Sequence, residues 1–290
     1  MMRAPLGTKM YWDKWVGFTQ EVIQEKFELL GLPSKNPSYD PQYAFDLTVQ
    51  HMKLLLRCYS QGENVLNLKQ YFSGLLDAWE LSNQLAEELC AKENISKCRD
   101  WTFSLNDLNH YIFCFWLLGF ALILNIPDEQ WQRLLKLIGS EGEDALIDRV
   151  IASRSPEWKI GPKLCQDRPY TRLLTAIKAP KEQQAGLLYD FVDHWYLELN
   201  RRGKQQPYWY EYGNPDFAPF EGGLYFGRWC IEAAVVAKVF KIEDVFCLGH
   251  EHYPGDLLRP DEPTTHVVPE INAASLEQKR GFFSKLFRRK

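Results

Sequence analysis

The stretch Tyr111-Ile-Phe-Cys-Phe-Trp-Leu-Leu-Gly-Phe-Ala-Leu-Ile-Leu124 is the longest apolar run of the chain, fourteen residues without a charge. A helix that crosses a bilayer needs about 20 such residues, so this run predicts a helix buried in a globular core. Ser104 with Asp107 resembles a capping pair in front of it, and Asn125 and Pro127 punctuate its end. A second run, Leu224–Phe240, carries only Arg228, Glu232 and Lys238 as charges. Apolar on nearly every side, it predicts another central helix.

Working outward, helical spacing recurs along the chain. Trp15, Phe18, Val22, Ile23, Phe27 and Leu30 mark a helix over Tyr11–Leu30, stopped by Gly31 and Pro33. Asp40-Pro41 opens a second helix that runs through Leu47, Leu54 and Leu55 to about Tyr59. A third spans Leu68–Cys90 and a further one Pro127–Ile138. Helices over Glu143–Ser153 and Tyr170–Ala176 follow. Lys181–Arg201 then shows a clean stripe of Leu188, Phe191, Trp195 and Leu199. Strand alternation and internal repeats are not found. The expected fold is all-α and multihelical, with two helical domains packed together, 1–139 and 140–260. The hinge between them is Gly139-Ser-Glu-Gly142, and 261–290 is an extended tail with a basic end. Residues 203–223, rich in Pro, Gly and Tyr, form a loop long enough to need a reason.

Hydrophobic residues make up 46% and aromatics 14% of the 290 residues, ten of them tryptophan, which excludes global disorder. That aromatic load also leaves room for a homodimer interface. Seven cysteines, an odd number without Cys-x-x-Cys spacing, read as reduced and mostly buried thiols. Met1–Trp15 lacks a secretory pattern, and a soluble, cytoplasmic protein is expected.

Net charge is −4, but it hides an asymmetry. Residues 279–290 hold six basic side chains and no acid; without them 28 basic residues face 38 acidic ones. Residues 182–278 alone hold 7 basic and 16 acidic side chains, a balance of −9. Such a region repels nucleic acid and attracts a basic partner. Its candidate contact residues are Asp190, Asp193, Glu198, Glu211, Asp216, Glu221, Glu243, Asp244 and Glu251. The basic tail carries Phe282, Phe283, Leu286 and Phe287, an arc of about 140° on a helix, and suggests weak contact with an anionic membrane.

Enzymatic signatures are few. Gly222 and Gly227 have phosphate-loop spacing, yet Arg228-Trp229 stands where Lys and Ser/Thr would hold phosphate and metal. His250-Glu251-His252 with Asp256, and His194 as a distant fourth ligand, could hold zinc in a metal-dependent enzyme. These residues lie in turn chemistry between Gly249 and Pro254-Gly255, however, and a surface loop is the plainer reading. Glu232, four residues after Arg228, predicts an ion pair or a hydrogen-bonded core carboxylate. Neither a metal nor a cofactor is expected.

The string Tyr225-Phe226-Gly227-Arg228-Trp229-Cys230-Ile231-Glu232-Ala233-Ala234, then Ile242-Glu243-Asp244 and Tyr253-Pro254-Gly255-Asp256-Leu257, resembles the C-terminal half of PoNi-type immunity proteins. His194-Trp195-Tyr196 is similar to the preceding helix of that family, and residues 11–135 resemble its N-terminal helical domain more loosely. The resemblance implies a non-enzymatic protein that binds and neutralises a PoNe-type DNase toxin delivered between competing bacteria by type VI secretion. It also implies that Trp195, Tyr196, Trp229, Glu232, Tyr253, Pro254 and Asp256 are mainly structural. A nuclease must neutralise phosphate and is usually basic, so an acidic face suits an inhibitor.

Overall fold

A computed structural model describes residues 1–98, 103–139, 141–217 and 219–266. The basic segment 279–290 lies outside the described residues. The chain is 61% helical, with nine α-helices and no strand among the described residues. The fold is all-α and multihelical.

Three long helices form the first half: α1 (Lys9–Leu30), α2 (Asp40–Gln61) and α3 (Phe72–Glu93). Thr8 caps α1 by accepting a hydrogen bond from the Tyr11 amide, and Gly62, at φ 100°, ends α2. α2 packs between α1 and α3. Because α1 has α2 as its main helical neighbour, it buries only Tyr11, Trp12 and Thr19, while Phe18 and Phe27 of its expected stripe stay exposed.

The apolar run forms α4 (Leu108–Ile123), buried along its length except at Asn109 and His110. Asp107 caps it alone, accepting from the amides of Asn109 and His110. Ser104, expected to share that task, instead donates its amide to His110 Nδ1. α5 (Asp128–Ile138) returns against α3. Then come α6 (Ile147–Ala152), α7 (Tyr170–Lys178) and α8 (Lys181–Glu198), of which α7 and α8 pack as a pair.

The second apolar run divides. Only Ile231–Phe240 is helical, as α9; residues 224–230 are not. Gly227 sits at φ 98°, and a Cβ there would meet Trp229 Nε1 at 2.1 Å and Ser60 Oγ at 2.5 Å. A backbone that must take positive φ against an indole cannot continue a helix. α9 lies directly on α4, where Gly119 admits Ile231: an added Cβ would sit 2.4 Å from its Cγ2. The buried apolar residues of both halves therefore form one contiguous core, with α4 and α9 at its centre.

One cysteine expectation is corrected. Cys90, in the last turn of α3, and Cys98 are joined as a disulfide; Cys58, Cys114, Cys230 and Cys247 are buried thiols and Cys165 is half-buried. A separation of eight residues across a helix end brings the two sulfurs together, which no Cys-x-x-Cys pattern announces.

No helix of the described residues is long and apolar enough to cross a membrane.

Candidate functional site

The acids of the C-terminal half separate into an interior set and an outer set. Glu232, in the first turn of α9, is fully buried. Its Oε1 accepts from the Tyr170 hydroxyl at 3.1 Å and from Trp195 Nε1 at 3.2 Å. Arg228 does not pair with it. That guanidinium donates to the Tyr212 carbonyl and covers the Tyr196 ring at 4.7 Å. Glu232 is thus the hydrogen-bonded core carboxylate of the two alternatives. Burial pushes its carboxyl up to about 7, against the pull of its donors.

Asp244 was expected at the surface and is instead interior. Its carboxylate accepts from Tyr253 Oη at 2.7 Å and from Arg259 Nη1 and Nη2 at 2.9 and 2.5 Å. Burial opposes its ionisation, but the Arg259 and Tyr253 donors outweigh that and hold it below the usual range. Asp256 is buried too, taking Arg3 Nε at 2.7 Å and the Thr265 amide and hydroxyl at 2.6 and 2.9 Å. Trp229 donates Nε1 to Ser60 Oγ of α2. Tyr196 stacks on Tyr210 and donates to its carbonyl, and Pro254 is buried. The motif residues thus bond one another and the N-terminal half.

This geometry disperses the zinc reading. Asp256 is held by Arg3 and Thr265, whereas His252 is buried against Tyr196 with Nδ1 at the Arg228 carbonyl. Burial and neighbouring His250 take the His252 imidazole down to about 3. His194 contacts the Asp190 carbonyl. Among the described residues no group of three His, Cys, Asp or Glu could hold a metal ion.

The outer set lies on α8 and the turn after α9, which pack together. Asp190 and Glu198 share the single guanidinium of Arg172 of α7, at 2.6 and 3.0 Å. Asp193, Glu243 and Glu251 are exposed and have no Lys or Arg within ion-pair distance among the described residues. His250 links the group, standing 3.7 Å from Asp193 and edge-on to Tyr189 of α8. Between these acids rise apolar side chains that sequence reasoning missed: Val245 and Phe246, the latter 62% exposed, with Tyr189 and Leu197 beside them on α8. The only signal for them was Asp244-Val-Phe-Cys247, an apolar pair in an acidic turn. Asp216 and Glu221 lie elsewhere, on the loop that reaches Tyr11 of α1 through Phe220, and Glu211 is half-buried.

Family comparison decides the kinship. The model for PoNe immunity proteins (PoNi), N-terminal, matches residues 3–136, and the C-terminal model of the same family matches residues 142–257. The chain belongs to the PoNe immunity protein family. No curated protein matches it. Among solved structures it is similar to protein PA2201 from Pseudomonas aeruginosa, with a TM-score of 0.66 at 15% identity. That match covers 90% of this chain and 91% of the other, and at such identity it speaks for the PoNi fold alone.

Proposed function

We propose that this PoNi-family chain binds and neutralises a cognate antibacterial DNase toxin in the cytoplasm, acting as a binder rather than an enzyme. Contact is made through α8 and the turn 243–251. The observation that carries the reading is an exposed apolar pair, Val245 and Phe246, in the turn that holds Glu243 and Glu251 and packs on the helix of Asp193, three exposed carboxylates without a Lys or Arg partner among the described residues. A desolvated hydrophobic centre with a charged rim is the anatomy of a tight interface. The rim steers a basic nuclease toward the face, toward association rates of roughly 10⁸–10⁹ M⁻¹s⁻¹ at low salt, while the apolar pair slows release. Burial of Glu232, Asp244 and Asp256 supports a structural role for the motif and leaves recognition to the exposed face.

The test uses the product of the neighbouring reading frame. Its C-terminal domain is assayed for plasmid degradation with and without an equimolar amount of this protein. Full protection at one-to-one ratio is the expected result; an active nuclease that is left uninhibited defeats the reading for that partner.

A further inference from the structure

Residues 203–223 form the long loop that the sequence left without a purpose, and the acidic face uses little of it. Tyr208, Trp209 and Tyr212 of this loop roof a cavity of about 380 Å³. Its floor is one face of α2, with Val49 and Lys53, and one face of α4, with Phe113 and Trp116. The roof is fastened at two points: the Tyr208 amide donates to Asn109 Oδ1 at 3.0 Å, and the Tyr212 carbonyl accepts from Arg228. Trp116 and Trp209 pack against each other as one continuous aromatic wall, their ring centres 5.5 Å apart and their planes tilted by 43°. The volume sits at the small end of the ligand-pocket range, roughly 300–1,000 Å³.

Charge in this cavity is unbalanced in a specific way. Lys53 is its only Lys or Arg among the described residues. Two carboxylates also line it, and both are occupied. Asp46 pairs with Lys26, and Asp107 accepts the two amides at the start of α4. The Lys53 ammonium has the Tyr208 ring at 5.4 Å, and no carboxylate within ion-pair distance among the described residues. Burial brings its pKa down to about 8 against the pull of Asp46, so it remains largely charged at neutral pH. Trp116 leaves a donor open, since its buried indole N–H has no acceptor among the described residues.

We propose that this cavity binds a small aromatic monocarboxylate, with the carboxylate on Lys53 and the ring against the aromatic lining of Phe113, Trp116 and Trp209. One cation answers one negative charge. A phosphate would call for several cations or an open helix N-terminus, and Asp107 already fills the N-terminus of α4. Aromatic walls favour a flat ring over an aliphatic acid.

The experiment is isothermal titration of the full chain with indole-3-acetate as probe, beside indole-3-acetamide and acetate. Indole-3-acetate is expected to bind at least about tenfold more tightly than either comparator. Lys53→Met, which keeps the aliphatic stem, should weaken it by about tenfold without lowering the melting temperature. Val49→Phe, which fills the cavity from α2 and leaves Lys53 in place, should abolish binding as well. Acetate binding as tightly as the indole acid, binding that survives both substitutions, or no heat at millimolar probe each overturns the proposal. No toxin enters this test, so its outcome is independent of the immunity reading.

Discussion

Glu243 and Asp244 are neighbours in the chain and lie in opposite environments. Glu243 is exposed and unpaired, whereas Asp244 is clasped by Arg259 and Tyr253. The same contrast divides the whole C-terminal half. Interior acids bolt segments together: Asp256 ties Arg3 to Thr265, and Asp144 takes Tyr111 Oη at 3.1 Å and the Cys165 amide at 2.7 Å. Of the outer acids, Asp190 and Glu198 tie α8 to Arg172 of α7, whereas Glu243 bonds no other segment among the described residues. A segment's net charge therefore overstates the field it projects. In residues 182–278 Glu232 is held towards its neutral form, Asp244 and Asp256 are paired, and Arg172 offsets one of the two charges of Asp190 and Glu198.

The largest effect should come from treating an interior acid as an outer one. Asp244→Lys would leave Arg259 facing another cation inside the protein. A loss of about 3–5 kcal/mol in stability is expected, the scale for breaking a buried pair, read from urea unfolding. Near-wild-type stability would erase the distinction between the two regions.

Next is the pH response of Glu232. Its folded pKa, about 7, stands above the ordinary 4.5 of a free glutamate, so the folded state binds the proton more tightly. Stability is then greatest at low pH, falls as pH rises from about 4.5 to 7, and stays reduced above that. Over that window the cost is roughly 3 kcal/mol. Glu232→Gln, which cannot ionise, should flatten this slope in melts taken from pH 5 to 8; an unchanged slope would show that another group sets it.

The outer face should respond in binding and not in folding. Asp193→Lys, Glu243→Lys and Glu251→Lys together should keep stability within about 0.5 kcal/mol per site and weaken toxin binding on the order of 100-fold at low salt. Surface plasmon resonance would place most of that loss in the association rate. Unchanged affinity at low salt removes this face from the interface.

The smallest effect sharpens the boundary. Arg172→Ala frees the partly exposed Asp190 and Glu198, so stability should drop by no more than about 1 kcal/mol. Association with toxin should quicken, by roughly twofold, because the field gains negative charge. A slower association would mean that Arg172 itself touches the partner.

Much of the fold is legible in the sequence because periodicity and caps are local. The α4 run, Pro127 before α5 and the α8 stripe of Leu188, Phe191 and Trp195 all report their elements. The errors arise where long-range packing decides. Leu224–Phe240 is apolar throughout, and an apolar run has no period with which to separate a buried helix from buried extended chain. Tyr225, Phe226 and Trp229 are buried without being helical because Gly227 must turn beside Trp229 and Ser60. The candidate site was legible as composition only. Charge counting found nine acids, but whether Arg259 reaches Asp244, or Arg172 reaches Asp190, depends on contacts 15 and 18 residues apart that no local pattern encodes. Phe246 drew no notice because a lone aromatic beside a cysteine has the look of core.

Arg3 and Asp256 meet across 253 residues of chain. Ribosomes add about 5–20 residues per second, so roughly 10–50 s separate the making of one partner from the other. From the making of Ile123 until α9 follows at residues 231–240, α4 lacks the helix that covers it in the finished protein. On the immunity reading, newly begun chains come too late for a cell already under attack. Its safety rests on a standing stock of completed molecules, and on how slowly that stock is degraded.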